Sequence, residues 1–406
     1  MNNMKLTHKN YSFIIYILGI VFIYSCKDKR EQTHIERPYN DNFYFLDFEK
    51  ELENLNYEID TITINSIAKN IEFVNFEATE RSLLSDLNLM VAESDDDYYV
   101  SSGMFHTSSG VLRFDLHGKF KESLIEKGQG PLELPYLNFW SMNDSLNLVS
   151  MFGSAIKTIS YNTHNYTKHS FLLESYGGHP IQLNDSTYVA YTSVFPAMDN
   201  DVPYFVFFDS NGEIVHSLHY PQGHNVGYEV SQDHPQGLIY EGYGIFKDHK
   251  NNALLKDVFN DTIYKAKSKD EILPYICTYR GKMTPQHRFV TDINRQASVI
   301  YIHHLAETEN YIFTSYLYNK TKQTAIWDKR SRNIIARVVN TDQRSREFIR
   351  YRQIVKYRTP KGNIVFLNMI YTKENVIYCM LRVEDAMEFL PNVNSDSNPI
   401  LVKFYV

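Results

Sequence analysis

Residues 111–120 read "VLRFDLHGKF", an apolar run that meets Asp115, turns through His117 and Gly118, and leaves through Phe120. An aspartate before such a turn accepts hydrogen bonds from its own backbone, and glycine takes the positive φ, so the pattern is strand, tight turn, strand. It recurs as "KTISYNTHNY" at 157–166 and "YFVFFDSNGEI" at 204–214, with Asp115, Asn162 and Asp209 at a constant spacing of 47 residues. Looser copies follow as "FNDTIYKAKSKDEI", pivoting around Lys267, and "TAIWDKRSRNII", pivoting on Asp328. A fixed period of this length marks a repeat architecture.

A second series of turns keeps the same rhythm. It runs through Asp95 to Asp97, Asn143-Asp144, Asn184-Asp185, Asn251-Asn252, Glu309-Asn310 and Glu374-Asn375, and each pair opens a strand-like run. Two turn series in one rhythm make units of four strands and roughly 40 to 60 residues, the size of a propeller blade. The expected fold is therefore all-β, a six-bladed β-propeller of four-stranded antiparallel blades. Helical patterning is weak, confined to 348–356 and part of 51–57. A ring must hide its end strands. Residues 71–76 ("IEFVNF") are read as the outer strand of the last blade, closing the ring against the strand that ends the chain at Val406.

Of 406 residues, 31 are Tyr and 25 Phe against 17 Gly and 13 Pro, which favours a strand-rich globular protein. A net charge of −7 argues against a nucleic-acid partner, since counterion release needs a basic surface. Lys5 and Lys9 precede the apolar run 11–24, short for a membrane span but suited to a secretory signal. Ile23-Tyr24-Ser25-Cys26 closes that run and resembles a bacterial lipobox, with Tyr24 bulkier than the usual residue there. The expected division is a lipoprotein signal peptide at 1–25, acylation of Cys26, a flexible tether at 26–57 and the propeller at 58–406; a plain signal peptide or anchor helix is the alternative. Cys277 and Cys379 each sit in apolar, β-prone runs and read as separately buried thiols. No cysteine spacing suits zinc.

The chain resembles the six-bladed β-propeller lipoproteins of Bacteroidetes, an NHL- or TolB-like group of mostly unknown function. The resemblance rests on "NIEFVNFEATERSLLSDLN" (70–88), "RFDLHGKFKESLIEKGQGPLE" (113–133), "FNDTIYKA" (259–266) and "TYRGKMTP" (278–285). It implies an exported, lipid-anchored protein at the outer membrane, on its periplasmic side or the cell surface, near glycan or nutrient-uptake systems. The family motif Gly-x-Gly-Pro-Gly-Glu has Leu132 at its third glycine here.

Candidate ligand residues come from the loops expected on one face of the ring. "KGQGPLE" lacks the ending of a phosphate loop and has no following helix, so its glycines serve the turn, while Lys127, Gln129 and Glu133 are placed at the channel mouth. His106 in "MFHTSSG", with Asp199 and Asp201 in "FPAMDNDVP", share that expected face. A basic cluster of Arg344, Arg346, Arg350 and Arg352 with interleaved aromatics suits an acidic glycan, head group or partner. His216 and His219 lie three apart in a strand and point to opposite faces, so no metal site is expected, and no cofactor. With no nucleophile elbow or Cys/His pair, catalytic residues stay unassigned. The function expected is a monomeric binding or protein-interaction scaffold for a glycan, peptide or envelope protein. Two alternatives stand beside it: a glycan- or lactone-processing hydrolase or lyase, and a structural partner of an outer-membrane transporter.

Overall fold

A computed structural model of the chain describes residues 43–53, 57–85, 89–102, 110–125, 138–142, 145–152, 155–162, 168–174, 181–183, 187–191, 203–209, 211–219, 244–257, 260–284, 298–319, 321–339 and 353–406. The first elements are β1 (Tyr44–Asp47), α1 (Phe48–Glu53) and β2 (Asn70–Asn75). Antiparallel sheets then follow in chain order. The first holds β3 (Met90–Glu93), β4 (Asp97–Ser101), β5 (Val111–Asp115) and β6 (Phe120–Ile125); the second holds β7 (Asn138–Met142), β8 (Ser145–Phe152), β9 (Ala155–Asn162) and β10 (Lys168–Glu174). The third holds β11 (Ile181–Gln182), β12 (Tyr188–Tyr191), β13 (Phe205–Phe208) and β14 (Ile214–Leu218), and the fourth β15 (Gly244–Lys247), β16 (Ala253–Lys256), β17 (Thr262–Ser268) and β18 (Glu271–Tyr279). The fifth holds β19 (Tyr301–Glu307), β20 (Tyr311–Tyr318), β21 (Thr321–Asp328) and β22 (Ile334–Val339). The last holds β23 (Gln353–Arg358), β24 (Ile364–Lys373), β25 (Val376–Leu381) and β26 (Ile400–Tyr405), with β2 beyond β26 at its edge. The described strands thus form six sheets. Each has neighbours in chain order, the pattern of an all-β propeller with four-stranded antiparallel blades.

The turns carry the repeat. Asp115 Oδ1 accepts from the amides of His117 and Lys119, each at 2.9 Å, and Gly118 takes φ +82°. Asp209 repeats this with Asn211 and Glu213 at 2.8 and 3.0 Å, and Gly212 takes φ +88°. Asp248, in the other turn series, does the same with Lys250 and Asn252, and Asn251 takes the left-handed conformation. Gly118 has a further constraint: a Cβ there would lie 2.1 Å from Asn75 O, so a side chain at this turn would push β2 away.

β2 pairs with β26 along its whole length, Asn70 opposite Tyr405 and Asn75 opposite Ile400. In the last sheet, β25 pairs with 368–373 of β24, while β23 pairs with 364–369. The four strands β24, β25, β26 and β2 therefore repeat the other sheets, with Glu374-Asn375 in the first turn and β2 outermost. β23 is an addition. The weak helical reading of 348–356 fails over 353–356, which belong to β23, where Gln353, Ile354 and Val355 are buried and pair with β24. β-branched residues there suit a pleated surface better than a helix.

Neighbouring sheets pack face to face through apolar clusters. One joins the third and fourth sheets through Val189, Phe207 and Leu255, and another the fourth and fifth through Ile263, Ile276, Leu305 and Trp327. A third joins the fifth and last through Phe313, Val355, Leu367 and Phe404. A fourth packs Tyr378, Met380 and Leu401 of the last sheet against Tyr98, Val100 and Phe114 of the first. Cys277 and Cys379 are buried free thiols, as their apolar runs imply.

Residues 43–53, placed by the sequence reading in a tether over 26–57, belong instead to the folded unit. β1 pairs in parallel with β18, Tyr44 opposite Ile276 and Asp47 opposite Tyr279. Phe48, 0% exposed, meets Tyr316 and Trp327 edge-on at 5.3 and 4.9 Å. Farther along, Asp60 forms a two-pronged pair with Arg337, both bonds at 2.7 Å, and Asn65 exchanges hydrogen bonds with the backbone of Arg358. The described residues of 43–76 thus run as a strap along β18, β22 and β23 and end as β2 on the last sheet. Phe48→Ala removes the buried anchor of that strap and should cost about 3 to 5 kcal/mol of unfolding free energy, read from a denaturant melt. An unchanged melt would show that the strap is not part of the cooperative unit.

Candidate functional site

Every residue singled out in the sequence for a ligand, anion or lipid lies outside the described residues: Cys26, His106, Lys127, Gln129, Glu133, Asp199, Asp201, Arg344, Arg346, Arg350 and Arg352. In chain order, His106 falls between β4 and β5, Lys127 to Glu133 between β6 and β7, Asp199 and Asp201 between β12 and β13, and the arginines between β22 and β23. Of the histidine pair, His219 Nε2 bonds Ser217 Oγ at 2.8 Å, while His216 packs against the Phe207 ring.

The structure instead assembles a polar cluster at the seam of the fourth and fifth sheets. Glu307, 0% exposed, ends β19, and its Oε1 accepts from Lys329 Nζ, from the Tyr275 hydroxyl and from His249 Nδ1, the last at 3.1 Å. Lys329 also donates to Thr308 O at 2.6 Å. Asp248, equally buried, receives Lys265 Nζ at 2.8 Å, and that ammonium lies 3.3 Å from the centre of the Tyr275 ring. Tyr44 of the strap closes the cluster edge-on to Tyr275. Burial, and then Glu307, push the Tyr275 hydroxyl above its ordinary value. Burial would raise Asp248, but Lys265 and the Asn252 side chain hold it below the ordinary carboxylate value.

Asp248, His249 and Glu307 bring one ligand atom each within 4.8 Å of one another, a spacing that a metal ion accepts. Both carboxylates already hold an ammonium group, so the cluster is balanced as ion pairs. Its chemistry is that of a pin between two sheets. Sequence reading missed it, although a signal exists: Ala306-Glu307-Thr308 stands at the same point of its unit as Ala92-Glu93-Ser94. Glu93 ends β3, and Lys403 of β26 reaches it at 3.1 Å. The seam between the first and last sheets is thus pinned in the same way.

Two outcomes test the pin. Lys329→Met leaves the Glu307 charge buried without its ammonium and should cost about 3 to 5 kcal/mol in a chemical melt. For Asp248, whose carboxyl is held below its ordinary value in the fold, the stabilisation is present above about pH 4 and is lost as the pH falls through the lowered value. Asp248→Asn should therefore be less stable than the parent at pH 7 and approach it at pH 2 to 3, by melts across about that range. A difference independent of pH would assign the effect to hydrogen bonding rather than to charge.

Comparison with solved structures agrees with the fold. The chain is similar to a protein of Bacteroides fragilis NCTC 9343 described by inferred export, at 18% identity and a TM-score of 0.58, covering 84% of this chain and 96% of that one. It also resembles a member of the duf4221 family from Bacteroides vulgatus ATCC 8482, at 12% identity and a TM-score of 0.46, covering 83% and 96%. No curated protein matches the sequence. A family profile does match, over residues 24–405, and the chain belongs to that family, the Domain of unknown function DUF4934.

Proposed function

We propose that this chain is an exported, lipid-anchored, six-bladed propeller that works as a monomeric binding or protein-interaction scaffold at the cell envelope. The observation that carries the reading is an asymmetry in the connections. In an antiparallel sheet the first-to-second and third-to-fourth turns leave one edge, and the remaining connections leave the other. The first kind are two to five residues long, at 94–96, 116–119, 143–144, 163–167, 183–187, 209–213, 248–252, 269–270, 308–310, 329–333 and 374–375. The second kind include short ones at 153–154, 257–261 and 319–320 but also every long one, 102–110, 126–137, 192–204, 219–243, 280–300 and 382–399. Long connections gathered on one edge of a rigid scaffold are where recognition concentrates.

His106, Lys127, Gln129, Glu133, Asp199 and Asp201 all belong to connections of the second kind, and the arginines from 344 to 352 lie in the connection that leaves the same edge from β22 and runs into the added strand β23. These polar and basic groups, with neighbouring aromatics, suit a glycan, a peptide or an acidic envelope partner. The six sheets, the pairing of β2 with β26 and the cluster between the last and first sheets support a closed ring. The run 11–24 followed by Ser25-Cys26 supports export and acylation, and the fold neighbour from Bacteroides fragilis is itself described by inferred export.

Two measurements test this. Metabolic labelling with a fatty-acid analogue should tag the wild type and not Cys26→Ser; equal labelling would remove the lipid anchor. On an array of acidic and neutral glycans, the Arg344, Arg346, Arg350 and Arg352 to Glu variant should lose acidic glycans while keeping its melting temperature. Unaltered binding would take the basic segment out of the site, and silence of the wild type on every glycan would leave protein recognition as the function.

A further inference from the structure

The inner strand of the fifth sheet is interrupted where the last sheet docks on it. β19 pairs with β20 through Ile302 opposite Tyr316 and then His304 opposite Ser315, so a β-bulge leaves His303 outside the register. A bulge re-aims the extra side chain and breaks the ladder around it. Gln353, the first residue of β23, fills the gap from the last sheet. Fully buried, it donates from Nε2 to Phe313 O at 2.7 Å and to His304 O at 3.3 Å. Two carbonyl acceptors settle which way the amide points. The next backbone amide, that of Ile354, donates to Thr324 Oγ1 at 3.1 Å. The added strand is thus held to β19, β20 and β21 beside the bulge.

His303 takes no part in that bonding. Its Nε2 is buried and has no hydrogen-bond partner among the described residues. The register places Lys322 of β21 in one row with Leu317 and Tyr301, two residues before His303. The ionisable groups set around the ring are therefore Lys322, and Tyr301 and His304 on its own strand. β20 contributes Ser315 and Leu317 and β23 contributes Gln353, none of which carries charge, and no described carboxylate bears on the ring. A neutral imidazole fits such a place and an imidazolium does not, because its new N–H would lack an acceptor and the lysine would repel it. Burial, then Lys322 and His304, push His303 from its ordinary 6.5 down to about 3.

We propose that the His303 bulge is an acid-sensitive joint between the fifth and last sheets, closed while the imidazole is neutral and loosened when it takes up a proton. An opened chain binds that proton first, so the stabilisation is complete above about pH 6.5 and is lost as the pH falls towards 3. The Asp248 pin yields only below about pH 4, which separates the two in acid. The joint stands or falls independently of the proposed binding face.

Urea melts of the full chain in detergent, from about pH 7.5 to 4.5, test this against His303→Gln, whose side chain is polar but takes up no proton. The folding constant of the wild type should fall relative to that of the variant by about 50-fold or more across this range. Parallel pH dependences overturn the joint. Hydrogen exchange at about pH 5 should show protection lost first at 301–306 and 353–358, with β4 and β5 still protected. Loss spread evenly over all the sheets also overturns it. Should the variant fail to fold, the His303 Cε1 resonance of the wild type decides: a midpoint near about 6.5 overturns the joint, and one below about 4.5 supports it.

Discussion

A repeat protein of this kind has one junction that the covalent chain does not make for it, where the last sheet must find the first. Lys403 sits at that junction. Its ammonium donates to Glu93 at 3.3 Å and to the Tyr98 hydroxyl at 3.2 Å, both on the first sheet, while the rings of Tyr98, Tyr378 and Tyr405 stand 5.6 to 5.7 Å away. Burial works against this charge, yet Tyr98 and Glu93 hold the Lys403 ammonium above its ordinary value. The adjacent apolar cluster supplies most of the cohesion, since burial of Leu401, Phe114 and Tyr98 scales with area and is indifferent to fine register. A lysine that must meet one carboxylate and one hydroxyl is not indifferent. A slip of one residue would turn it to the other face of β26 and leave Glu93 without its ammonium.

The seam between the fourth and fifth sheets uses the same chemistry with the partners rearranged. Glu307 takes the place of Glu93, Lys329 comes from its own sheet, and the preceding sheet contributes the Tyr275 hydroxyl. In both seams a carboxylate at the end of an inner strand is reached by an ammonium and lies beside aromatic rings from the neighbouring sheet. The strap adds a second layer here: Tyr44 and Phe48 come from more than 200 residues away in sequence and cover the flank of this seam. Asn398 does related work at the other seam, donating to Glu77 O and Ser82 O while accepting from the Leu84 amide. One side chain thereby fixes the connection from the last sheet to the first.

What could be read from the sequence divides along the range of the interactions. An Asp that bonds amides two and four residues on is a local event, so Asp115, Asp209 and the turn at Asn251-Asn252 announce the repeat unaided. The pairing of β2 with the last strand was legible for a different reason: an exposed strand edge must be covered, and 71–76 was the run expected to cover it. The strap was not legible, because Tyr44 to Glu53 is too short to show a period and owes its order to Trp327, Tyr316 and Lys282. Asp97 shows the limit within one residue. Its position suggested a turn former, but it opens β4, and its carboxylate is buried against Arg113 and Lys121. Composition names the charges at the inner-strand ends; only the fold says which lysine answers which carboxylate.

The tight turns also explain why recognition by their own side chains is poorly suited to that edge of the sheets. The backbone amides of Lys119 and Glu213 hold the Asp115 and Asp209 carboxylates below their ordinary value, and those oxygens are occupied in shaping the chain. A side chain that defines its own turn cannot be re-aimed at a ligand without losing the turn. The long connections carry no such obligation, since their ends are fixed by strands already paired within the sheets. Their residues can vary while the sheets stay intact, which is the physical condition for one scaffold to serve many ligands.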